Sequence, residues 1–237
     1  MVVPRTSAER CRRTTTPKHS ATTAGRVRTR RPVAALWVAL AGLALTVVCS
    51  LGALGGVVSG PERALFRAIN GLPGWLERPL WALQLLGVLI APVLLAAALL
   101  VTRRWRPALA LLLFVPLKLI AEREVLKKLI ERQVVKKLLE RQRPGQNEPG
   151  AILRDVPPAG LSYPSGHAII AFGVVTMLWP YLGRAGRVVA ALVAVGACVG
   201  RVYLGAHNPL DVVAGAGLGL LVGALLTLLV GVRRARR

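Results

Sequence analysis

The sequence predicts an all-α fold, a polytopic membrane helical bundle with about six transmembrane helices. Three observations carry that prediction. Hydrophobic residues make up 54% of the 237-residue chain, and its mean hydropathy is +0.55. They fall in long blocks approaching the ~20 residues that a bilayer core requires, not in alternating runs of strand length. The net charge of +22 gathers in the tails and between those blocks. On a soluble chain that charge would point to nucleic acid. Beside apolar spans it marks cytoplasmic ends and anionic headgroups, so the bilayer is the expected partner and nucleic acid is not.

Taken in order, residues 1–32 hold nine Lys/Arg against one Glu, with seven threonines. Such a segment cannot bury a core and reads as a disordered basic cytoplasmic tail, with His19 solvated. The apolar block 33–58 is too long for the hydrophobic region of a signal peptide and gives the first span. Residues 61–79 form a short amphipathic connection, with Trp75 and Trp81 near the membrane edge that indoles favour. Residues 80–101 give a second span, and the basic turn T-R-R-W-R leads into a third at 107–121. After a central charged region come spans at 168–182 and 188–206, then 210–232 and a basic tail at 233–237. The membrane domain is thus 33–232. Cys11, Cys49 and Cys198 are too scattered for a metal site or a disulfide framework.

The short connections set the orientation. The N-terminal tail, the 103–106 turn, Arg184 with Arg187, and the C-terminal arginines share one side, which the positive-inside rule makes cytoplasmic. A multi-pass protein of the cell membrane results, with both termini cytoplasmic. Residues 121–167 and the turn at His207 then lie on the extracytoplasmic face. Residues 118–154 hold ten Lys/Arg and five Glu, an excess on that face that either an anion site or an inverted topology would explain.

That region repeats itself: V-L-K-K-L-I-E-R-Q (125–133) is followed by V-V-K-K-L-L-E-R-Q (134–142), with Lys118 and Glu122 as a worn third copy. Nine residues are two and a half helical turns, so the apolar face reverses in each copy and one straight helix cannot keep a single stripe. Only the second copy runs into Arg-Pro. Lys136 and Arg143 are seven apart, hence on one helical face, and Pro144 ends the helix. Two such cations suit a phosphate, Arg by bidentate hydrogen bonds and Lys as a point charge.

Two further stretches carry chemistry. In L-S-Y-P-S-G-H, Ser165 is a good N-cap for the apolar helix behind it, and Gly166 admits a close approach. The helix N-terminus there forms an anion seat that His167 faces. In R-V-Y-L-G-A-H-N-P-L-D (Arg201 to Asp211), His207 and Asp211 are four apart. They are expected on one helix face, where the carboxylate orients the imidazole. An arginine such as Arg201 near the end of a span is costly, and a bound phosphate gives it a reason to be there.

Together K-x6-R-P, P-S-G-H and R-x5-H-x3-D, in that order, closely resemble the type-2 phosphatidic acid phosphatase superfamily. These are membrane lipid phosphatases that share an active-site design with vanadium haloperoxidases. The motifs cover 136–211, and six helices with both ends cytoplasmic match the family's usual plan. The resemblance implies that Lys136, Arg143 and Arg201 hold the phosphoryl oxygens, with Ser165 and the Gly166 amide adding hydrogen bonds. It implies that His207 attacks phosphorus, that Asp211 orients it, and that His167 protonates the leaving oxygen and then activates water. No metal or cofactor is implied, and the sequence shows no metal-ligand cluster. There are two departures. Gly200 stands where the third motif commonly has Ser, and the repeat inserts length before Lys136, so that Lys127 or Lys128 could take its contact.

The expected function is a metal-independent lipid phosphate phosphatase forming a phosphohistidine. Its substrate would be the phosphomonoester or diphosphate of a lipid, such as a polyprenyl diphosphate or a phosphatidic acid-like lipid. A lipid phosphotransferase using the same site and a non-catalytic basic lipid-binding protein are the alternatives.

Overall fold

The computed structural model describes residues 29–30, 33–120 and 140–233. Its helices are α1 (Val33–Gly52), α2 (Gly60–Asn70), α3 (Glu77–Gln84), α4 (Ile90–Val101), α5 (Trp105–Ile120), α6 (Gly166–Leu178), α7 (Arg184–Tyr203) and α8 (Pro209–Val230). A single helical turn, Pro144–Asn147, lies in the loop before α6. Strand pairing among the described residues amounts to a two-residue antiparallel contact of β1 (Thr29–Arg30) with β2 (Val232–Arg233) and an isolated bridge. The β1–β2 contact joins the outer ends of α1 and α8. The repeat up to residue 139, with Lys127, Lys128 and Lys136, and most of both basic tails lie outside the described residues.

α8 is the central element, packed by α1 on one side and α6 on the other. Its glycines explain why. A Cβ on Gly215, Gly219 or Gly223 would stand 2.5, 2.5 or 2.8 Å from the carbonyl oxygens of Ser165, Ile169 or Gly173 on the α6 side. These positions recur every four residues and share one helix face. Gly217 looks the other way, where its Cβ would be 2.7 Å from Thr46 Oγ1 and 2.8 Å from the Gly42 carbonyl of α1. In lipid, helices associate by close van der Waals contact, because the surrounding tails are as apolar as leucine. Leu111 and Phe114 of α5 complete a core with Ile169, Ile170, Met177 and Leu226.

Large apolar side chains cover the outside, among them Val33, Trp37, Leu94, Val101, Val189, Leu192 and Leu229. In water that surface would be an aggregation liability; facing lipid it is the ordinary state. α1, α7 and α8, at 20, 20 and 22 residues, are each long and apolar enough to cross a bilayer. The protein is an all-helical membrane bundle.

The span expected over 80–101 is bent. α3 and α4 are separated by a 3-10 turn, Leu85–Gly87, and their axes bend by 66°. The break has a cause in packing. Gly87 lies so close to α6 that a Cβ would sit 2.8 Å from both the Cβ and the carbonyl oxygen of His167. The bend also turns the buried Gln84 inward. Other boundaries move less: α1 ends at Gly52, and the chain then turns through Gly55 and Gly56, both at positive φ.

Candidate active site

The site forms where three chain segments meet at one end of the bundle. The first is the start of α8. Asn208 and Pro209 open this helix, with Asn208 as N-cap and Pro209 at N1. His207 therefore precedes the helix, and the expected pairing of His207 and Asp211 across one helix face is corrected. Asp211 sits at N3 and folds back as a capping carboxylate, its Oδ2 accepting the Asn208 N–H at 2.8 Å. The same oxygen stands 3.8 Å from His207 Nδ1. The imidazole's hydrogen-bond partner is a backbone group: Nδ1 lies 2.8 Å from the Ser162 carbonyl oxygen. Since a carbonyl can only accept, Nδ1 carries the proton and the Nε2 lone pair is left for chemistry.

The second segment leads into α6. Ser165 occupies the N-cap position as expected, but its hydroxyl makes no capping bond and is wholly buried without a hydrogen-bond partner among the described residues. The Ser165 amide donates to the Asp211 carbonyl at 2.9 Å, which ties the second motif directly to the third. Gly166 and His167 form the first turn of α6. His167 feels the charge of His207, and both imidazoles feel Arg143 and Arg201.

The third segment is residues 140–143, and here the helix expected to carry Lys136 and Arg143 on one face does not reach Arg143. Gln142 bridges Leu161 antiparallel, the Ser162 N–H donates to the Arg141 carbonyl at 2.8 Å, and the Arg143 N–H donates to the Gly160 carbonyl at 3.1 Å. Arg143 is extended, at φ −69° and ψ 155°, because a residue before proline is driven out of the helical region. Pro144 opens a helical turn where it was expected to end one. The Arg143 guanidinium donates to the Ala206 carbonyl at 3.4 Å, beside His207. Burial lowers its pKa, with Asp211 opposing. Arg201, in the last turn of α7, is buried and donates to Gln84 Oε1. His207, His167, Asp211, Ser165, Gly166, Arg143 and Arg201 are thus brought to one place, and Lys136 lies outside the described residues.

Burial also lowers the pKa of His207; Asp211 pulls the other way, while Arg201 and Arg143 reinforce the burial effect. A neutral imidazole at neutral pH is the outcome. Among the described residues, no group of three or more His, Cys, Asp or Glu could hold a metal ion.

Several contributors escaped the sequence reading. Gln84 meets Arg201 only because of the α3–α4 break. Ser162 acts through its carbonyl, which no side-chain motif reveals. Lys118, near the end of α5, lends its charge to the surroundings of His167. Arg141 is wholly buried between Glu62 and Asp211. A visible signal for Glu62 was the spacing Glu62–Phe66–Asn70, one face of α2 and its buried one. The Gly200 departure has a steric account: a Cβ there would lie 2.9 Å from the Leu80 carbonyl oxygen.

Comparison with known proteins bears on the family and the fold. The sequence profile of the PAP2 superfamily matches residues 81–235, well over half of the chain. A crystal structure of a transmembrane PAP2 type phosphatidylglycerolphosphate phosphatase from Bacillus subtilis is similar at a TM-score of 0.58 and 21% identity. That similarity covers 81% of this chain and 94% of the other. LpxE from Aquifex aeolicus is similar at a TM-score of 0.53 and 24% identity, over 69% of this chain and 92% of its own. No curated protein sequence matches. At these identities the two structures speak to the fold, that of membrane lipid phosphatases. From the profile match together with that fold, the chain belongs to the PAP2 superfamily.

Proposed function

We propose that the protein is an integral membrane lipid phosphate phosphatase that works through a phosphohistidine on His207. The observation that supports this best is the meeting of two imidazoles with the Arg143 and Arg201 guanidinium groups, the nucleophile's Nδ1 being engaged by a backbone carbonyl. The two arginines hold the phosphoryl oxygens and offset charge as the transition state forms, with the unpartnered Ser165 hydroxyl and the Gly166 amide beside them. Lys136 adds a third cation. His207 Nε2 attacks phosphorus, and the P–O bond to the leaving group breaks as His167 donates a proton to the departing oxygen. His167 then takes a proton from water, whose oxygen attacks the phosphohistidine and releases phosphate.

Phosphorylation makes the His207 ring cationic while Asp211 stands 3.8 Å away. At an effective dielectric near 20, a charge pair at that distance is worth about 4 kcal/mol, or roughly three decades of rate if fully expressed. Asp211 in this reading stabilises the phosphoenzyme by its field, while the Ser162 carbonyl orients the ring.

The substrate is a lipid phosphate. A phosphatidylglycerophosphate, the substrate class named for the Bacillus subtilis relative, stands beside polyprenyl diphosphate and phosphatidic acid in the panel to test. The site opens on the extracytoplasmic face, with both termini cytoplasmic. The test is phosphate release from that panel by purified protein in EDTA. Release is expected with wild type, blocked by vanadate and lost in His207→Ala; turnover by the alanine variant at the wild-type rate rules out the nucleophile.

A further inference from the structure

One guanidinium in the site has no phosphate to hold. Arg141 is wholly buried, and it links two carboxylates from distant parts of the chain. Its Nε lies 3.0 Å from Asp211 Oδ1, its Nη2 contacts Glu62 Oε2, and its Nη1 donates to the Val57 carbonyl at 3.3 Å. Glu62, nearly as buried, uses its other oxygen to accept the Leu210 N–H at 2.9 Å. The two carboxylates therefore grip the backbone on either side of Pro209, which has no N–H: Asp211 takes Asn208, and Glu62 takes Leu210. The same Arg141 accepts the N–H and hydroxyl of Ser162 on its carbonyl, and Ser162 in turn carries the oxygen that holds His207 Nδ1. Every contact that orients the imidazole passes through this residue or its partners.

Charge makes the arrangement more than a brace. Two buried carboxylates around one buried guanidinium leave a single net negative charge beside the His207 ring. Once phosphorylated, the His207 ring is a cation 3.8 Å from Asp211, which Arg143 faces as well. Glu62 draws part of the Arg141 charge to itself, so that Asp211 is not fully neutralised by its own partner and keeps its field on the ring.

We propose that Glu62 and Arg141 are positioning residues for the His207 nucleophile, which set the orientation of the 207–211 turn and the charge that Asp211 presents to the phosphoenzyme. This rests on the phosphohistidine reading above. It predicts an effect on the chemical step and not on substrate capture, because neither side chain is among the groups assigned to the phosphoryl oxygens.

The experiment compares wild type, His207→Ala, Glu62→Gln and Arg141→Lys in one detergent. It measures kcat, KM, the single-turnover rate of phosphoenzyme formation from a radiolabelled lipid phosphate, and the vanadate inhibition constant. Glu62→Gln keeps an oxygen for Leu210 but no longer draws the Arg141 charge. It is expected to lower kcat and the phosphorylation rate about ten- to hundredfold, with KM and vanadate inhibition within twofold of wild type. Arg141→Lys offers one nitrogen where three made contacts and is expected to lose at least as much.

Two failures are distinct. If wild type makes no phosphoenzyme, or His207→Ala turns over normally, the phosphohistidine reading falls first. If those controls behave and Glu62→Gln phosphorylates at the wild-type rate, the positioning proposal is overturned. It is equally overturned if Glu62→Gln fails to fold, or weakens vanadate inhibition in step with its kcat. Should Arg141→Lys not fold, Glu62→Gln decides alone.

Discussion

At the scale of single residues, the pKa of the proposed nucleophile offers a handle on the mechanism. Burial depresses the His207 pKa, Asp211 raises it, and Arg143 lowers it. His207 must be neutral to attack, so the acid limb of kcat/KM is expected below the ordinary imidazole value of about 6.5. Asp211→Asn removes a raising influence and shifts that limb to lower pH even as kcat falls. Arg143→Gln removes a lowering influence and shifts it up. Profiles for the three proteins on one lipid phosphate check the signs, and a limb that moves the same way in both variants contradicts them. This scale was also where the sequence was most legible. His167, His207, Arg143 and Arg201 stand in fixed local spacings, and the fold brings them to one end of the bundle. The roles of Glu62, Arg141 and Ser162 cannot be read that way, because they arise from contacts across 21 to 148 residues of chain or from a backbone carbonyl, and spacing records neither.

At the scale of elements, apolar blocks located the helices while steric contacts set their breaks. The block at 80–101 reads as continuous because Gly87 costs a helix only about 1 kcal/mol. What breaks it is the approach of His167, a contact from another element. The expected helix through Arg143 failed for a similar reason: backbone pairing with Gly160 and Ser162 outweighs the helical pattern of the repeat before it. The glycine stripe of α8 gives a quantitative test. In Gly219→Val the Cβ would meet the Ile169 carbonyl oxygen at 2.5 Å, and a backbone atom cannot swing aside as a side chain can. Helix propensity returns a few tenths of a kcal/mol, whereas overpacking costs about 1–3 kcal/mol, so the clash wins. The variant is expected to be less stable by at least about 1 kcal/mol in detergent melts. Gly74→Ala, with open space around its Cβ, is expected to stay within about 0.5 kcal/mol of wild type.

At the scale of the whole molecule, the fold separates the site from the β1–β2 contact by the length of α8. Asp211 stands in the first turn of α8, and β2 follows its last. Of the 22 residues of α8, all but the first three lie between them, about 29 Å at 1.5 Å each and close to the hydrocarbon depth of a bilayer. β2 pairs with β1, the segment just before α1, so both ends of the bundle lie away from the site. α6 leaves the site at Ser165 and α7 returns to it at Arg201, so the turn with Arg184 and Arg187 belongs to the far end as well. The described turn with Arg184 and Arg187 thus lies on the face opposite the site, and the topology we propose, following the positive-inside rule, has that face cytoplasmic. Cysteine labelling tests this on intact cells, with the three native cysteines replaced by alanine. Ala159→Cys, exposed in the loop beside the site, is expected to react with a membrane-impermeant maleimide from outside. Gly183→Cys, in the turn before α7, is expected to react only after permeabilisation. The reverse pattern would place the phosphate site in the cytoplasm and restrict its substrates to lipids of the inner leaflet.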